Sequence, residues 1–310
     1  MAIGDCVFCG SRVSSQGEHA LPRWFFARWE GQGPFTYYAG SKPIPKRNGN
    51  TQRDQLARVM LPVCGSNSPT NCNGWLNSTF EVAGKPQVRA VLNGLRPIAG
   101  AGVVAFVRWV VKTLLLHAHP LAMNSEIGHL DTASRSVLEL PKSALTMIRN
   151  SGQFPEDLSL WMSVIDSDGA PVGLPDFDRA ILPRVHRPDG AGGECGATTL
   201  GFSLPNHLMV SFQLIFHPLI DIVNPFESPG WATRLWPNPP ADLDITAHPV
   251  LDAAGGHALT KWFVAGGLSI GLQPGERWPN GPTGKAFLAL RSRDLGAMAA
   301  ITTRLARPSY

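Results

Sequence analysis

Four of the five cysteines have a spacing that could bind a metal ion. Cys6 and Cys9 form a CxxC pair, and Cys64 and Cys72 form a second pair whose members stand eight positions apart. A CxxC turn places two sulfurs on one side, and a second pair completes a tetrahedral sulfur site for zinc with bonds of about 2.3 Å. The turn-forming GSNSPTN segment would loop out between Cys64 and Cys72. Two unrelated cysteine pairs are the alternative.

A second group of polar residues lies next to these cysteines in the sequence. A site closed by four sulfurs makes the zinc structural, so His19 is not one of its ligands. His19 follows Glu18, and Asn73 follows Cys72, so the zinc would hold these polar residues together. A carboxylate and an amide oxygen suit Mg²⁺ or another divalent cation, and a neutral histidine can activate a water. These are the parts of metal-assisted phosphodiester hydrolysis, although a Glu-His pair is otherwise typical of an exposed turn.

The positive charge of the chain is concentrated towards the N-terminus. Residues 1–90 contain ten Lys and Arg against five Asp and Glu, whereas residues 91–310 contain 17 against 18. The excess lies in the segment that also carries the four cysteines, as expected of a surface that faces nucleic acid. A solvated surface without such a partner can carry the same charge. The residues predicted to contact nucleic acid are Arg12, Arg23, Lys46 and Arg47.

The elements that must position these residues are short. CVFC predicts a knuckle, LPRWFFARWE a short helical or irregular segment, FTYY a hairpin, and RVMLPV a strand that leads to Cys64. CNGWLNSTFEVAGKP predicts a helix that begins near Cys72 and ends before Pro86, because proline disrupts a helix interior. The segment from Gly84 to Pro97 is predicted to be a linker.

The remainder of the chain predicts helices first and strands afterwards. Apolar residues at steps of three and four from Val103 to His117 predict a buried helix that ends at Pro120. Further helices are predicted at residues 132–140, 141–149 and 286–305. Strands are predicted in LSLWMSVID, TTLGFSLPNHLMVSFQLIFHP and WFVAGGLSIGL. The predicted fold class is α+β, with a small module at residues 1–90 and a larger α+β domain of mixed or antiparallel strands at 91–310.

No segment is typical of a secretory signal or a membrane span. MAIGDCVFCGS has no basic start followed by an apolar run. Arg108 and Lys112 interrupt the run GAGVVAFVRWVVKTLLL, which falls short of the roughly 20 apolar residues that a spanning helix needs. We therefore expect a cytoplasmic protein without a membrane partner, in which disulfides are disfavoured. Cys195 is then an ordinary thiol.

The motifs together resemble a known enzyme family. CVFCG, EHALPRW, the VC step and CNGWLNSTFE look like the HNH, or ββα-metal, endonucleases, and in particular the zinc-stapled branch that includes recombination endonuclease VII. They are also similar to bacterial and phage HNH-type proteins of about 300 residues. FVRWVVKTLLL resembles the helix with Trp and Lys that follows the nuclease module there. The resemblance covers residues 1 to about 120 and implies a zinc-stapled ββα-metal module at residues 1–90.

The resemblance implies a role for each matching residue. His19 matches the general base that deprotonates the attacking water, and Glu18 and Asn73 match ligands of the catalytic metal. The final histidine of an HNH motif is absent. Asn77 or Glu81 would have to replace it, or the position is vacant.

Three functions are compatible with these patterns. The first is a metal-dependent HNH-type endonuclease acting on nucleic acid, with DNA the expected substrate, structural Zn²⁺ and catalytic Mg²⁺. The alternative is a non-catalytic, zinc-stabilised nucleic-acid-binding protein, which the missing histidine favours. A zinc-stapled protein-interaction fold is the third.

Overall fold

The structure is a computed structural model. It describes the N-terminal cysteine region, a central pair of helices and a C-terminal sheet. The described residues are 4–13, 18–26, 35–36, 38–39, 42–43, 49, 52–53, 60–117, 145, 148–150, 153–155, 158–166, 196–204, 208–216, 224, 226–252, 255–256 and 259. Helices and strands are mixed in this part of the chain, which confirms the α+β class.

Short antiparallel strand pairs form the N-terminal part. The strands, with their ranges, are β1 (Gly4–Asp5), β2 (Arg12–Val13), β3 (Glu18–His19), β4 (Phe35–Thr36), β5 (Tyr38–Ala39), β6 (Lys42–Pro43), β7 (Gln52–Arg53) and β8 (Met60–Leu61). β1 pairs with β2, β3 with β8, β4 with β7, and β5 with β6. A short helix, α1 (Arg23–Phe26), follows β3. The β1–β2 hairpin carries the CVFC knuckle, and the β3–β8 pair places the Glu-His step beside the strand that leads to Cys64.

The helix that begins at Cys72 is longer than predicted. α2 (Cys72–Leu76) and α3 (Val82–Val88) are joined by a wide π-helical turn, and a second such turn extends the helical run to Asn93. The prediction that the helix ends before Pro86 is therefore wrong, and Gly84 to Asn93 are not part of a linker. Proline removes one backbone donor, but burial of this helix against its neighbour outweighs that local effect.

The second long helix, α4 (Ala101–His117), confirms the helix predicted from Val103 onwards. Its apolar side chains are buried on nearly every side, because helix 72–93 covers one face and the C-terminal sheet another. Close approach to helix 72–93 occurs at Gly84, where an added Cβ would lie 2.8 Å from the Cβ of Trp109. Only glycine fits at that distance without displacing one of the helices.

We expect the Gly84→Ala variant to be destabilised by about 1–3 kcal/mol, because overpacking a tight helix contact exceeds the helix-propensity gain of alanine. Chemical denaturation of the variant and the wild type measures this difference. Ala83→Ser is the matched control, since Ala83 is exposed on the same turn, and it should lower stability by about 0.5 kcal/mol or less. A Gly84→Ala protein more stable than wild type would contradict the close contact.

Five strands form the C-terminal sheet. Their ranges are β10 (Leu158–Asp166), β11 (Gly196–Ser203), β12 (Leu208–Phe216), β13 (Thr233–Trp236) and β15 (Val250–Leu251), and two short strands, β9 (Ile98–Ala99) and β14 (Asp242–Leu243), pair separately. β12 lies between β11 and β10 in antiparallel register, with Leu158 opposite Phe216. β13 and β15 share the other edge of β10, and only β15 is parallel to it. The strands predicted in LSLWMSVID and in the TTLGFS to LIF run are confirmed, and the sheet is mixed.

A single hydrophobic cluster extends from the cysteine region to the sheet. Phe25 contacts Phe202 with 4.9 Å between ring centroids, and Phe106 contacts Phe212 at 5.9 Å. The apolar face of the sheet therefore packs against α4 and α1. The domain division at residue 90 stays a prediction.

Several predicted features lie outside the described residues. They are the helices at 132–140 and 286–305, the strand in WFVAGGLSIGL, Cys195, Lys46 and Arg47. Residues 145 and 148–150, in and next to the helix predicted at 141–149, are helical.

Candidate functional site

The four predicted cysteine ligands come together in the structure. Cys6 and Cys9 lie on the β1–β2 turn, Cys64 lies just after β8, and Cys72 begins α2. Their sulfur atoms all lie within 4.8 Å of one another. Cys9 Sγ and Cys64 Sγ are 3.6 Å apart, which is close to the edge of about 3.8 Å expected for a tetrahedron with metal–sulfur bonds of about 2.3 Å. The thiols are free rather than paired in disulfides, so the cluster could hold a metal ion such as zinc.

Hydrogen-bond donors surround the sulfur cluster. The backbone N–H of Cys64 donates to Cys6 Sγ at 3.4 Å, and the N–H of Cys72 donates to Cys64 Sγ at 3.3 Å. The Thr70 hydroxyl lies 3.3 Å from Cys9 Sγ and 3.2 Å from Cys64 Sγ. Such donors orient ligands and stabilise thiolates. The turn-rich segment between Cys64 and Cys72 therefore supplies part of the site.

The thiols differ in how readily they ionise. Burial disfavours the Cys9 thiolate, but the hydroxyls of Ser11 and Thr70 outweigh it and lower the pKa of Cys9 to about 6. At Cys6 burial dominates and raises the pKa of the thiol. A divalent cation would supply the charge that ionises such a thiol, because metal ligation requires the thiolate.

Arg149 is a neighbour of the cysteine cluster that sequence analysis missed. Its Nη2 donates to the Thr70 carbonyl at 3.1 Å, and its Cζ lies 4.9 Å from the ring centroid of Trp75. Burial raises the pKa of the Cys72 thiol, and a hydrogen bond with Arg149 opposes that rise. Since four thiolates around a divalent cation leave a net negative charge, the guanidinium compensates part of it. Nothing in the sequence links positions so far apart.

The structure also brings Glu18 and Asn73 together. Burial raises the pKa of the Glu18 carboxyl group, and the neighbouring Asn73 side chain opposes that rise. Asn73 is fixed by its backbone N–H, which donates to the Cys64 carbonyl at 2.9 Å. Glu18 stands opposite Leu61 on the β3–β8 pair, and His19 is the next residue on β3 and is half-buried. The start of α2 thus places Asn73, the residue after the last cysteine, next to Glu18 on β3, and His19 follows Glu18 on that strand.

Glu81 is a buried carboxylate with a donor at each oxygen. Its side chain is only 10% exposed, and Oε1 forms an ion pair with Lys112, whose side chain is 5% exposed. Oε2 accepts hydrogen bonds from the indole N–H groups of Trp24, at 2.9 Å, and Trp109, at 3.2 Å. The interactions join α1, helix 72–93 and α4. This environment is that of a structural ion pair, and it leaves little room for Glu81 as a metal ligand.

Lys112 also acts on Glu18. Burial is the largest influence on Glu18 and raises the pKa of its carboxyl group, Lys112 opposes this rise, and Glu81 adds to it. Arg23 lowers the pKa of Glu18 as well. The sequence motifs assign Lys112 no role beside Glu18. A lysine within an otherwise apolar helix nevertheless signals a buried acidic partner.

The other predicted site residues are exposed or not described. Asn77 is exposed on helix 72–93. Arg12 is exposed and its Nη1 lies 3.2 Å from Asp5 Oδ1. Arg23 is exposed at the start of α1. A third metal ligand at Asn77 or Glu81 and the nucleic-acid contacts of Arg12 and Arg23 stay predictions.

Comparisons with protein-family models, with curated proteins and with solved structures found no match. Within the described residues, no helix combines the length and the apolar character that crossing a membrane requires.

Proposed function

We propose that this protein is a zinc-stapled HNH-type endonuclease that hydrolyses phosphodiester bonds of nucleic acid, with DNA as its substrate. The observation that carries the proposal is the placement of Asn73 next to the Glu18 carboxyl group, at the start of the helix that begins with the last of the four cysteines. The order of elements supports it too, because the antiparallel β3–β8 pair is followed by a helix that starts at the last cysteine. This order resembles that of the ββα-metal module that the sequence motifs suggest.

In the proposed mechanism the protein positions the reacting groups. Cys6, Cys9, Cys64 and Cys72 hold Zn²⁺, which staples the module and takes no part in the reaction. Glu18 and Asn73 would hold Mg²⁺ or another divalent cation, which when bound stabilises negative charge on the phosphate and the leaving oxygen.

His19 acts as the general base in this mechanism. Its neutral imidazole accepts a proton from the water that attacks the phosphorus, and the leaving oxygen carries away the bonding electron pair. Burial raises the pKa of Glu18. As the pH falls, its carboxylate is therefore protonated earlier than an exposed carboxylate would be. Cleavage should therefore decline as the pH falls, because protonation removes the charge with which Glu18 would hold the cation.

A plasmid-cleavage assay with and without Mg²⁺ tests the proposal. We expect cleavage to require the divalent cation and to fall about a hundredfold or more in His19→Ala, because general-base catalysis contributes roughly that much. Zinc content, measured by elemental analysis, should be the same in wild type and variant. Asn93→Ala is the matched control, since Asn93 is exposed at the end of helix 72–93 and belongs to no predicted site, and it should cleave like wild type.

Cleavage by His19→Ala at the wild-type rate would contradict the role of His19. Loss of activity together with zinc would indicate instead that the change disturbs the fold.

The second candidate function is nucleic-acid binding without cleavage. Glu81 favours it, because donors already occupy both oxygens of this residue, which is one of the two candidates to replace the missing HNH histidine. It predicts salt-sensitive binding to DNA, no metal-dependent cleavage, and no second metal beside Glu18.

A further inference from the structure

Basic side chains surround the Trp24 ring at the edge of the candidate site. The Nζ of Lys85 lies 5.6 Å from the Trp24 ring centroid, and the Cζ of Arg89 lies 5.8 Å from it. Arg23, the chain neighbour of Trp24, is exposed and acts electrostatically on Glu18. We call Arg23, Trp24, Lys85 and Arg89 the Trp24 patch. Two of its residues lie on α1, which follows the strand of the predicted catalytic residues, and the other two lie on helix 72–93.

Two cations of this patch, Lys85 and Arg89, lie on the part of helix 72–93 that carries no acidic residue after Glu81. Lys85 and Arg89 stand four positions apart on one helix, where like charges repel. Residues 82–100 contain no acidic residue, and Glu81 is buried with Lys112 as its partner. Among the residues that the structure describes, no carboxylate forms an ion pair with Lys85 or Arg89. A polyanion that binds across these two cations would relieve their repulsion.

The Trp24 ring organises the two cations. A cation that contacts an indole face on one side can still bind an anion on the other side. The contact also restricts the long side chain in the free protein, which reduces the entropy cost of binding. Trp24 is itself fixed by the hydrogen bond from its indole N–H to Glu81. The patch therefore presents preorganised positive charge close to Glu18.

We propose that the Trp24 patch binds the phosphate backbone of a DNA duplex and places a phosphodiester beside Glu18 and His19. The inference rests on the proposed function, because it takes nucleic acid as the ligand. It extends that function by assigning the contact to Lys85 and Arg89, which the sequence did not single out. Arg12 differs from both, since its charge is already paired with Asp5.

Binding of a fluorescent DNA duplex at several salt concentrations tests the assignment. The measurement uses His19→Ala without divalent cations, so that no strand is cut. In this background we expect Lys85→Gln and Arg89→Gln each to reduce the slope of log K against log salt by about 0.9, the value of one lost phosphate contact. The double variant should lose about twice that slope and bind about tenfold more weakly or worse near 0.1 M salt.

Two controls separate charge from packing. Arg96→Gln removes one exposed arginine outside the Trp24 patch, at a position assigned to no site, and should leave the slope unchanged. The exchange Lys85→Arg with Arg89→Lys preserves both charges and should retain the wild-type slope. The proposal would be overturned if this charge-preserving variant lost as much binding as the double glutamine variant. Altered packing would then explain the loss in both variants.

The same experiment distinguishes this inference from the proposed function. If His19→Ala binds DNA and the double glutamine variant binds with the same affinity and slope, the Trp24 patch is not the contact, although the endonuclease proposal stands. If His19→Ala does not bind DNA at low salt and the wild type does not cleave it, the proposed function is wrong and this inference is wrong with it.

Discussion

The Lys112→Met variant is expected to be about 3–5 kcal/mol less stable than wild type, because it leaves the buried Glu81 carboxylate without its cation. Two indole N–H groups would still donate to the carboxylate, from Trp24 and Trp109, but neither carries a charge. Methionine fills much of the volume of lysine, so the loss is mainly electrostatic. Chemical denaturation followed by tryptophan fluorescence measures it, since two indoles contact the affected group.

A double variant tests the reason for this loss. Replacing Glu81 by Gln together with Lys112 by Met removes both charges and keeps an oxygen acceptor for the two indoles. We expect this protein to recover most of the lost stability, because a buried ion pair often differs little from a neutral pair of similar volume. Lys85→Met, on a half-buried lysine over Trp24, is the matched control and should lower stability by about 1 kcal/mol or less. A Lys112→Met protein as stable as wild type would show that the pair is not buried.

The defect of Lys112→Met should also depend on pH. Burial raises the pKa of Glu18 and Lys112 opposes this, so removing Lys112 allows the pKa to rise further. An acid whose pKa is higher in the folded state than in the unfolded state destabilises the fold when it is ionised, and this penalty disappears as the pH falls below both values. The stability difference between variant and wild type should thus shrink on acidification. A difference that grows on acidification would contradict the role of Lys112 beside Glu18.

The cysteine cluster was predictable because ligand chemistry restricts both residue type and spacing. The four metal-binding cysteines are predicted by the CxxC motif and by the VC and CN dipeptides. The structure brings their sulfur atoms together. Thr70 and Arg149 were not predictable in the same way. Their contacts depend on how a loop and a distant helical segment fold over the cluster, and neither residue belongs to a motif.

The fold shows the same contrast between strong local patterns and tertiary effects. α4 and β10 were recognised because each is buried along most of its length, and burial imposes a period or a continuous apolar run on the sequence. The helix through Pro86 was missed, because the local rule for proline was outweighed by the packing of Gly84 against Trp109. Strand order was not predictable either, since the parallel pairing of β15 with β10 depends on contacts distant in sequence.

Replacing Cys72 by Ser is expected to abolish stable zinc binding and to unfold the cysteine region. Structural zinc in small domains supplies about 10–16 kcal/mol of folding free energy at neutral pH, and serine is a poor substitute for a thiolate ligand. Cys72 also begins α2, so loss of the metal would release Asn73 from Glu18. We expect about one zinc per chain in wild type and almost none in the variant after dialysis against a chelator, by elemental analysis.

Cys195→Ser is the matched control, because the sequence assigns this cysteine to no metal site, and it should retain zinc like wild type. Zinc affinity should also fall as the pH falls, because protons compete for the sulfurs and burial raises the pKa of Cys6. Replacing zinc by cobalt provides a direct view of the ligands, since sulfur-to-metal absorption reports thiolate coordination. A Cys72→Ser protein that retains zinc and the full cobalt–thiolate absorption would contradict the four-sulfur site, because a ligand whose removal changes neither property does not bind the metal.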